Sequence, residues 1–193
     1  MFYKYKARTI VIDGNGLGIG LVDYMIKSQE DENGDFFPDF GVKNDDEGYY
    51  KKYRTNNTEF DALYILKANA PINTECHTNA QMQLSSGKVK FLIHEKIAKE
   101  KLMGTQKGQK MSPEERAEYL KPFTLTSILK EEMMNLREEN EGINIILKQA
   151  NRGIRKDKFS AFEYGLYYIK QEEESKKKRK KFNASEWCFV THK

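Results

Sequence analysis

Residues 9–25 read TIVIDGNGLGIGLVDYM, a run of β-branched residues that ends on a carboxylate and continues with glycine at alternate positions. Thr, Ile and Val favour strands, and apolar neighbours on both faces are typical of a central strand in a covered sheet. The stretch therefore predicts a strand over 8–13 that ends at Asp13. An amphipathic helix over 18–27 follows, with Ile19, Val22 and Ile26 on its apolar face.

The rest of the chain alternates between strand and helix patterns. Strands are predicted over 62–68 and 143–149, and residues 88–93 (KVKFLI) are either a strand or an extended packing segment. Helices are predicted over 73–85, from an N-cap at Ser112, over 125–139 and over 156–170. This alternation indicates an α/β fold.

Three segments are predicted to lie outside the regular elements. The acidic residues in 29–48 indicate a solvated, mobile loop with at most one short strand, over 40–42. Residues 104–110 are predicted to be a flexible loop. Residues 1–172 are interpreted as one folded region, and residues 173–193, which begin with a charge run, as a flexible tail.

Length, charge and cysteine content narrow the class of protein. The chain has 193 residues and a net charge of +4, so it is long enough for a real core and only mildly basic. Its two cysteines, Cys76 and Cys188, form no CxxC pair, which argues against a disulfide framework or a thiolate zinc site. No apolar run approaches the ~20 residues of a membrane span. A cytosolic protein is expected.

The glycines after Asp13 do not fit the known phosphate-binding patterns. A dinucleotide fingerprint that starts at Gly14 or Gly16 requires a sixth-position glycine, where this chain has Ile19 or Leu21. SSGKVK, residues 85–90, lacks the Ser or Thr that follows Gly-Lys in a phosphate loop. Asp13 would repel a phosphate unless a cation lay between them, so the pattern favours a metal site.

Two aspartates are candidate ligands for that metal. Asp13 ends a strand at the edge where open α/β sheets bind ligands, and Asp157 lies in the first turn of a helix. Basic residues surround Asp157, which suits phosphodiester hydrolysis with two Mg²⁺ or Mn²⁺ ions. Two plainer interpretations stay open: Asp13 caps nearby amides as a turn former, and Asp157 caps a helix or pairs with its dipole.

Three segments in this order resemble a known family: TIVIDGNGLGIGLVDYM, LYILKANAPINTECHTNAQMQLSSGKVKFLI and KDKFSAFEYGLYYI. They are similar to the nuclease region of the large terminase subunit of tailed bacteriophages, and the resemblance implies a ribonuclease H-like fold. It also implies that Asp13 and Asp157 are the second and third of three acidic metal ligands. The first ligand and the ATPase are expected on an upstream polypeptide.

The resemblance further implies an activity and partners. The expected activity is metal-dependent cleavage of concatemeric double-stranded DNA during viral packaging. The expected partners are the DNA, the ATPase part, the portal protein and the small terminase subunit, in the host cytoplasm at the procapsid portal and without a membrane. Two alternatives remain: a catalytically incomplete module that only docks DNA or the portal, and, more weakly, a metal-dependent phosphotransferase on another α/β fold.

Several further residues are candidates for supporting roles. Basic side chains that can contact DNA phosphates, or that are simply solvated, are Lys67, Arg152, Arg155, Lys156 and Lys158. Replacement metal ligands are conceivable at Asp23, Asp61, Glu75 and Glu163, but capping, turns or solvent exposure explain each of them better. His77 accompanies Glu75 in a helix first turn, and Asn15 is expected either to accept a positive φ or to bind a metal water.

Overall fold

A computed structural model describes residues 2, 6–30, 32–53 and 60–180, with the backbone alone at 178–180. The protein has an α/β fold, with helices and a small parallel sheet. The chain divides into two compact units, Met1–Asn69 with Tyr164–Lys193, and Ala70–Glu163. No helix among the described residues is both long and apolar enough to cross a membrane.

The first unit is built on a three-stranded parallel sheet. Its strands are β1 (Ile10–Asp13), β4 (Gly41–Val42) and β5 (Asp61–Leu66), in the order β1-β5-β4. In the β1–β5 register, Ile10 lies opposite Leu63 and Asp13 opposite Leu66. The predicted strands over 8–13 and 62–68 are therefore confirmed, and their carboxyl ends lie at the same edge of the sheet.

Helix α1 (Leu17–Met25) packs against one face of this sheet. Val22 and Ile26 are almost fully buried, and they join Ile12, Leu63 and Ile65 in the core. Ile19, which was predicted to share their face, is instead 42% exposed. Its position three residues before Val22 fits the apolar period, but its side chain lines an open cleft instead of the core.

The acidic segment has more structure than its composition indicates. Strands β2 (Gln29–Glu30) and β3 (Phe36–Phe37) form an antiparallel pair, and β4 follows at the predicted position. Asp39 is only 1% exposed. The prediction of a loop is therefore wrong for the strand residues, and Asp39 is not solvated. The other acids of the segment that are exposed, as predicted, are Glu30, Glu32, Asp35, Asp46 and Glu47.

The second unit contains four complete helices. They are α2 (Ala70–Ser85), α3 (Glu95–Met103), α4 (Gln106–Lys110) and α5 (Pro113–Met134). Gly87 has a φ of +68°, and the Lys88 and Gly87 N–H groups donate to the carbonyls of Gln83 and Leu84, a Schellman ending of α2. The predicted capping box of Ser112 and Glu115 is confirmed.

Two predictions in this unit are wrong in detail, and one open alternative is decided. Residues 106–110 of the expected flexible loop form α4, which Thr105 caps by accepting the N–H of Gly108. Residues 88–93 form no strand and belong to the extended alternative. Helix α5 runs through Pro122 and ends at Met134, well before residue 139.

The residues that follow α5 form an antiparallel hairpin. Strands β6 (Leu136–Glu141) and β7 (Asn144–Gln149) are joined by Gly142 and Ile143, and Gly142 has a φ of +61°. The sequence LREENE has good helix formers, and its residues 136–139 were predicted to belong to the helix over 125–139. Pairing with the predicted strand over 143–149, which is confirmed as β7, overrides that local preference.

The last helix, α6 (Asp157–Lys180), is longer than predicted. Its continuation covers residues 173–180, so the first part of the predicted flexible tail is helical; residues 181–193 lie outside the described part of the chain. Within the first unit, Tyr168 of α6 packs on Tyr64 of β5 with ring centroids 4.9 Å apart. Its hydroxyl also lies 3.1 Å from Oγ1 of Thr9 and accepts a hydrogen bond from Lys43.

Candidate functional site at the carboxyl edge of the sheet

Asp13 is exposed at the carboxyl end of β1, as predicted. One oxygen of its carboxylate, Oδ1, accepts the N–H of Asn15 at 3.0 Å. This is the turn-forming contact that the plainer interpretation of Asp13 requires. This bond occupies part of the accepting capacity of Oδ1 alone.

The glycines after Asp13 have a packing role. A Cβ at Gly14 would lie 2.6 Å from Cγ2 of Ile65, and a Cβ at Gly18 would lie 1.6 Å from the carbonyl oxygen of Asp13. Gly16 has a φ of +60°, which only glycine adopts readily. Three of the four glycines therefore let α1 begin directly against the strand end, and at Gly20 nothing lies within 4 Å of a built Cβ.

Asn15 ties this turn to the neighbouring strand. Its Nδ2 donates to the carbonyl oxygen of Ala68 at 3.1 Å, just beyond the end of β5. The expected positive φ belongs to Gly16 and not to Asn15, so that prediction is wrong. Asn15 instead links the ends of β1 and β5 through its two hydrogen bonds. Its role in binding a metal-bound water stays a prediction.

Lys67 follows β5 at the same edge and lines an open cleft of about 570 Å³. The cleft is otherwise acidic and aromatic, with walls that include Asp23, Asp45, Asp46, Glu47, Tyr49 and Tyr50. The predicted DNA contact by Lys67 would therefore be made beside several carboxylates. The sequence placed Asp45, Asp46 and Glu47 in a solvated loop and Asp23 on a helix. The position of the first three directly after the strand at residues 41–42 was the available signal.

Two side chains fix the backbone around this cleft. Asn44 accepts the N–H of Ile65 at 3.0 Å and donates to its carbonyl oxygen at 2.7 Å, so its amide continues the hydrogen bonding of the very short β4. Asp45 accepts the N–H groups of Tyr50 and Lys51 at 2.8 and 3.2 Å. The segment that carries Tyr50 is thus fixed at two points. Asn44 joins it to β5, and Asp45 bonds the backbone of Tyr50 and Lys51.

The surroundings of Tyr50 in the cleft raise the pKa of its phenol. Burial raises the pKa of its phenol above the ordinary value of 10.0, and the negative charges of Asp23 and Asp45 raise it further. Since the folded protein holds this proton more tightly than the unfolded chain, stability is expected to fall as the pH rises from about 10 towards the raised pKa. Below that range the phenol is protonated in both states.

Replacing Asp23 by Asn should bring the pKa of Tyr50 back towards its ordinary value. The measurement is an ultraviolet titration of phenolate absorbance, with Tyr50→Phe to assign the transition. Asp46→Asn is the matched control, because Asp46 lines the same cleft but does not contribute to the shift. An equal effect of the two aspartate changes would contradict this account of the cleft.

Asp157 lies in the second unit, in the first turn of α6, and its side chain is 74% exposed. Its nearest basic group is the Arg155 guanidinium at 3.9 Å. Arg152 and Lys156 are also exposed, and Lys156 donates to the carbonyl of Leu147 at 3.5 Å. The predicted convergence of Asp13 and Asp157 on shared metal ions stays a prediction, since the two residues belong to different units.

Lys158 differs from the other basic residues because it pairs with a buried acid. Its Nζ lies 3.4 Å from Oε1 of Glu132, a side chain that is only 2% exposed. The other oxygen of Glu132 accepts the N–H of Phe159 at 2.9 Å, so this carboxylate caps the start of α6. Sequence reasoning missed Glu132, because its partner lies 27 residues further along the chain.

A second pair of buried polar groups joins α2 and α6. The Nδ1 atom of His77 lies 2.6 Å from Oε2 of Glu163, and the two side chains are 13% and 3% exposed. Glu163 is therefore a buried partner of His77, not the solvated or capping residue that was expected. Glu75, which the sequence grouped with His77, is exposed.

Comparison with protein-family models, curated proteins and solved structures finds no match. Across the described ranges, no group of three or more His, Cys, Asp or Glu side chains is arranged to hold a metal ion. Asp13 and Asp157 each supply a single exposed carboxylate.

Proposed function

We propose that this protein is the nuclease region of a DNA-packaging terminase, with a ribonuclease H-like fold, that cleaves concatemeric double-stranded DNA. Asp13 and Asp157 would hold Mg²⁺ or Mn²⁺ together with an acid from the upstream polypeptide. When bound, the ions activate a water and stabilise the leaving oxygen. The reaction takes place in the host cytoplasm at the portal, beside the ATPase part and the small terminase subunit.

The observation that carries the proposal is the exposed Asp13 carboxylate at the carboxyl edge of a parallel sheet. Ligands of open α/β sheets bind at such edges, and Lys67 extends from the adjacent strand end. A carboxylate that binds a cation and an ammonium group that contacts a phosphate are the two charges that phosphodiester chemistry needs. The exposed Arg152, Arg155 and Lys156 supply further phosphate contacts.

The docking module remains the second candidate. The bond from the Asn15 N–H to Asp13 and the ion pair between Arg155 and Asp157 give both aspartates a structural task. A module that only docks needs the basic residues and not the carboxylates. Cleavage and DNA binding must therefore be measured separately.

The test combines this chain with the upstream polypeptide and follows plasmid cleavage with Mn²⁺. Asp13→Asn and Asp157→Asn should each abolish cutting, because each removes a metal ligand. Binding of duplex DNA, measured by fluorescence anisotropy, should stay nearly intact and weaken steeply with salt. The isolated chain should cut poorly or not at all.

Glu172→Gln is the matched control, since Glu172 is another partly exposed acid of α6 and its loss should leave cutting unchanged. Salt-sensitive binding without any cutting in the mixture would favour the docking module. Efficient cutting by the Asp157→Asn variant would show that the site is assigned wrongly. Absence of both cutting and binding would reject both candidates.

A further inference from the structure

His77, the partly buried partner of Glu163, lies at a cleft of the second unit whose lining includes neither proposed metal ligand. A cleft of about 230 Å³, here called the His77 cleft, is lined by His77. Apolar side chains make up much of its wall, among them Leu84, Met133, Leu136, Ile145, Leu147 and Phe159. The cleft is smaller than the roughly 300–1,000 Å³ of sites for drug-sized ligands, but like them it is largely apolar with a few polar groups that can orient a small ligand.

Glu163 determines which nitrogen of His77 carries a proton. An ionised carboxylate only accepts hydrogen bonds, so with Glu163 ionised Nδ1 of His77 is the donor across the 2.6 Å separation. In the neutral imidazole the other nitrogen, Nε2, is then an acceptor with a free lone pair. No described residue makes a hydrogen bond to Nε2.

The wall of the cleft narrows the ligand chemistry. An acceptor at Nε2 requires a donor on the ligand, such as a hydroxyl group. Glu138 also lines the cleft, and its negative charge disfavours an anionic ligand. The ring of Phe159 and the thioether of Met133 favour an aromatic body.

We propose that the His77 cleft binds a small, uncharged aromatic molecule whose hydroxyl group donates a hydrogen bond to Nε2 of His77. The simplest member of this class is a phenol. Glu163 acts as a positioning residue, because it fixes the tautomer and the ring orientation without touching the ligand. The proposal is independent of the nuclease activity, since it uses neither Asp13 nor Asp157.

The test uses the full chain and three matched probes, which are p-cresol, toluene and benzoate. Saturable binding is measured by NMR chemical-shift changes. We expect p-cresol to bind roughly three- to tenfold more tightly than toluene, because only p-cresol donates a hydrogen bond. Benzoate should bind more weakly than p-cresol. In His77→Phe, p-cresol and toluene should bind equally well.

A spectroscopic readout tests the role of Glu163 without any variant of the cleft. The ¹⁵N shifts of His77 in the wild-type protein should show a protonated Nδ1 and an unprotonated Nε2, and p-cresol should shift the Nε2 signal. His94→Asn is the matched control, and it should leave the ¹⁵N shifts of His77 unchanged. His94 is an exposed histidine of the same unit whose side chain accepts the N–H of Lys96, and Asn keeps that capping ability.

Three results would overturn the proposal. One is equal binding of p-cresol and toluene to the wild-type protein, or no saturable binding of either. Another is a proton on Nε2 of the neutral His77 ring. The third is a preference for p-cresol that survives in folded His77→Phe. Should His77→Phe fail to fold, the wild-type probe series and the tautomer still decide the question.

Discussion

Replacing Gly18 by Ala should destabilise the first unit by at least about 3 kcal/mol, at the upper end of the cost of overpacking. The new Cβ would lie 1.6 Å from the carbonyl oxygen of Asp13, and the atom that it meets belongs to backbone. No rotamer change can relieve such a contact, so α1 must move away from the end of β1. Urea denaturation followed by circular dichroism measures the loss.

Gly20→Ala is the matched control for this change. Gly20 is the next glycine of the alternate series, two residues further along α1, and nothing lies within 4 Å of a Cβ built there. Alanine should stabilise the helix at this position by about 0.5–1 kcal/mol. Equal and small effects at the two glycines would mean that α1 does not begin against the strand end as described.

The second large effect is expected from Glu132→Ala. This change leaves the N–H of Phe159 without its acceptor and removes the partner of Lys158. A broken buried ion pair costs about 3–5 kcal/mol. Because the Lys158 side chain is 42% exposed and can be solvated, we expect a smaller loss of roughly 2–4 kcal/mol, measured by urea denaturation.

Hydrogen exchange separates this account from a general weakening of α5. Glu132→Ala should increase the exchange rate of the Phe159 amide. This increase should be larger than the increase for amides in the middle of α5. Glu131→Ala is the control, since Glu131 is an exposed neighbour on the same helix and its loss should stay within about 0.5 kcal/mol. Unchanged protection of Phe159 in Glu132→Ala would contradict the capping role.

The elements that were predicted well are those whose signal is local. The buried runs around Ile12 and Leu63 predicted β1 and β5. The SPEE sequence at 112–115 predicted the start of α5. Hydrophobic period and capping chemistry are properties of neighbouring residues, so a single sequence reveals them. The position of Asp13 at the end of β1 follows from the same local pattern.

The features that were missed depend on partners far along the chain. LREENE forms a strand because β7 pairs with it, and Glu163 is buried because His77 lies on another helix, 86 residues earlier. Nothing near Glu132 or Glu163 marks either residue as buried. Charged residues are expected at the surface, so a buried carboxylate becomes visible only when its donor is located in space.

The two border strands of the parallel sheet differ in length, and this difference affects which border can accept a further strand. One border strand, β4, has two residues, and the Asn44 side chain takes over where its backbone pairing stops. The opposite border strand, β1, has four residues, and within the described chain it pairs with β5 on one side. A longer regular border is the better template for β-augmentation. A strand recruited from another polypeptide is therefore expected to dock alongside Ile10–Asp13, where it would run directly past the Asp13 carboxylate.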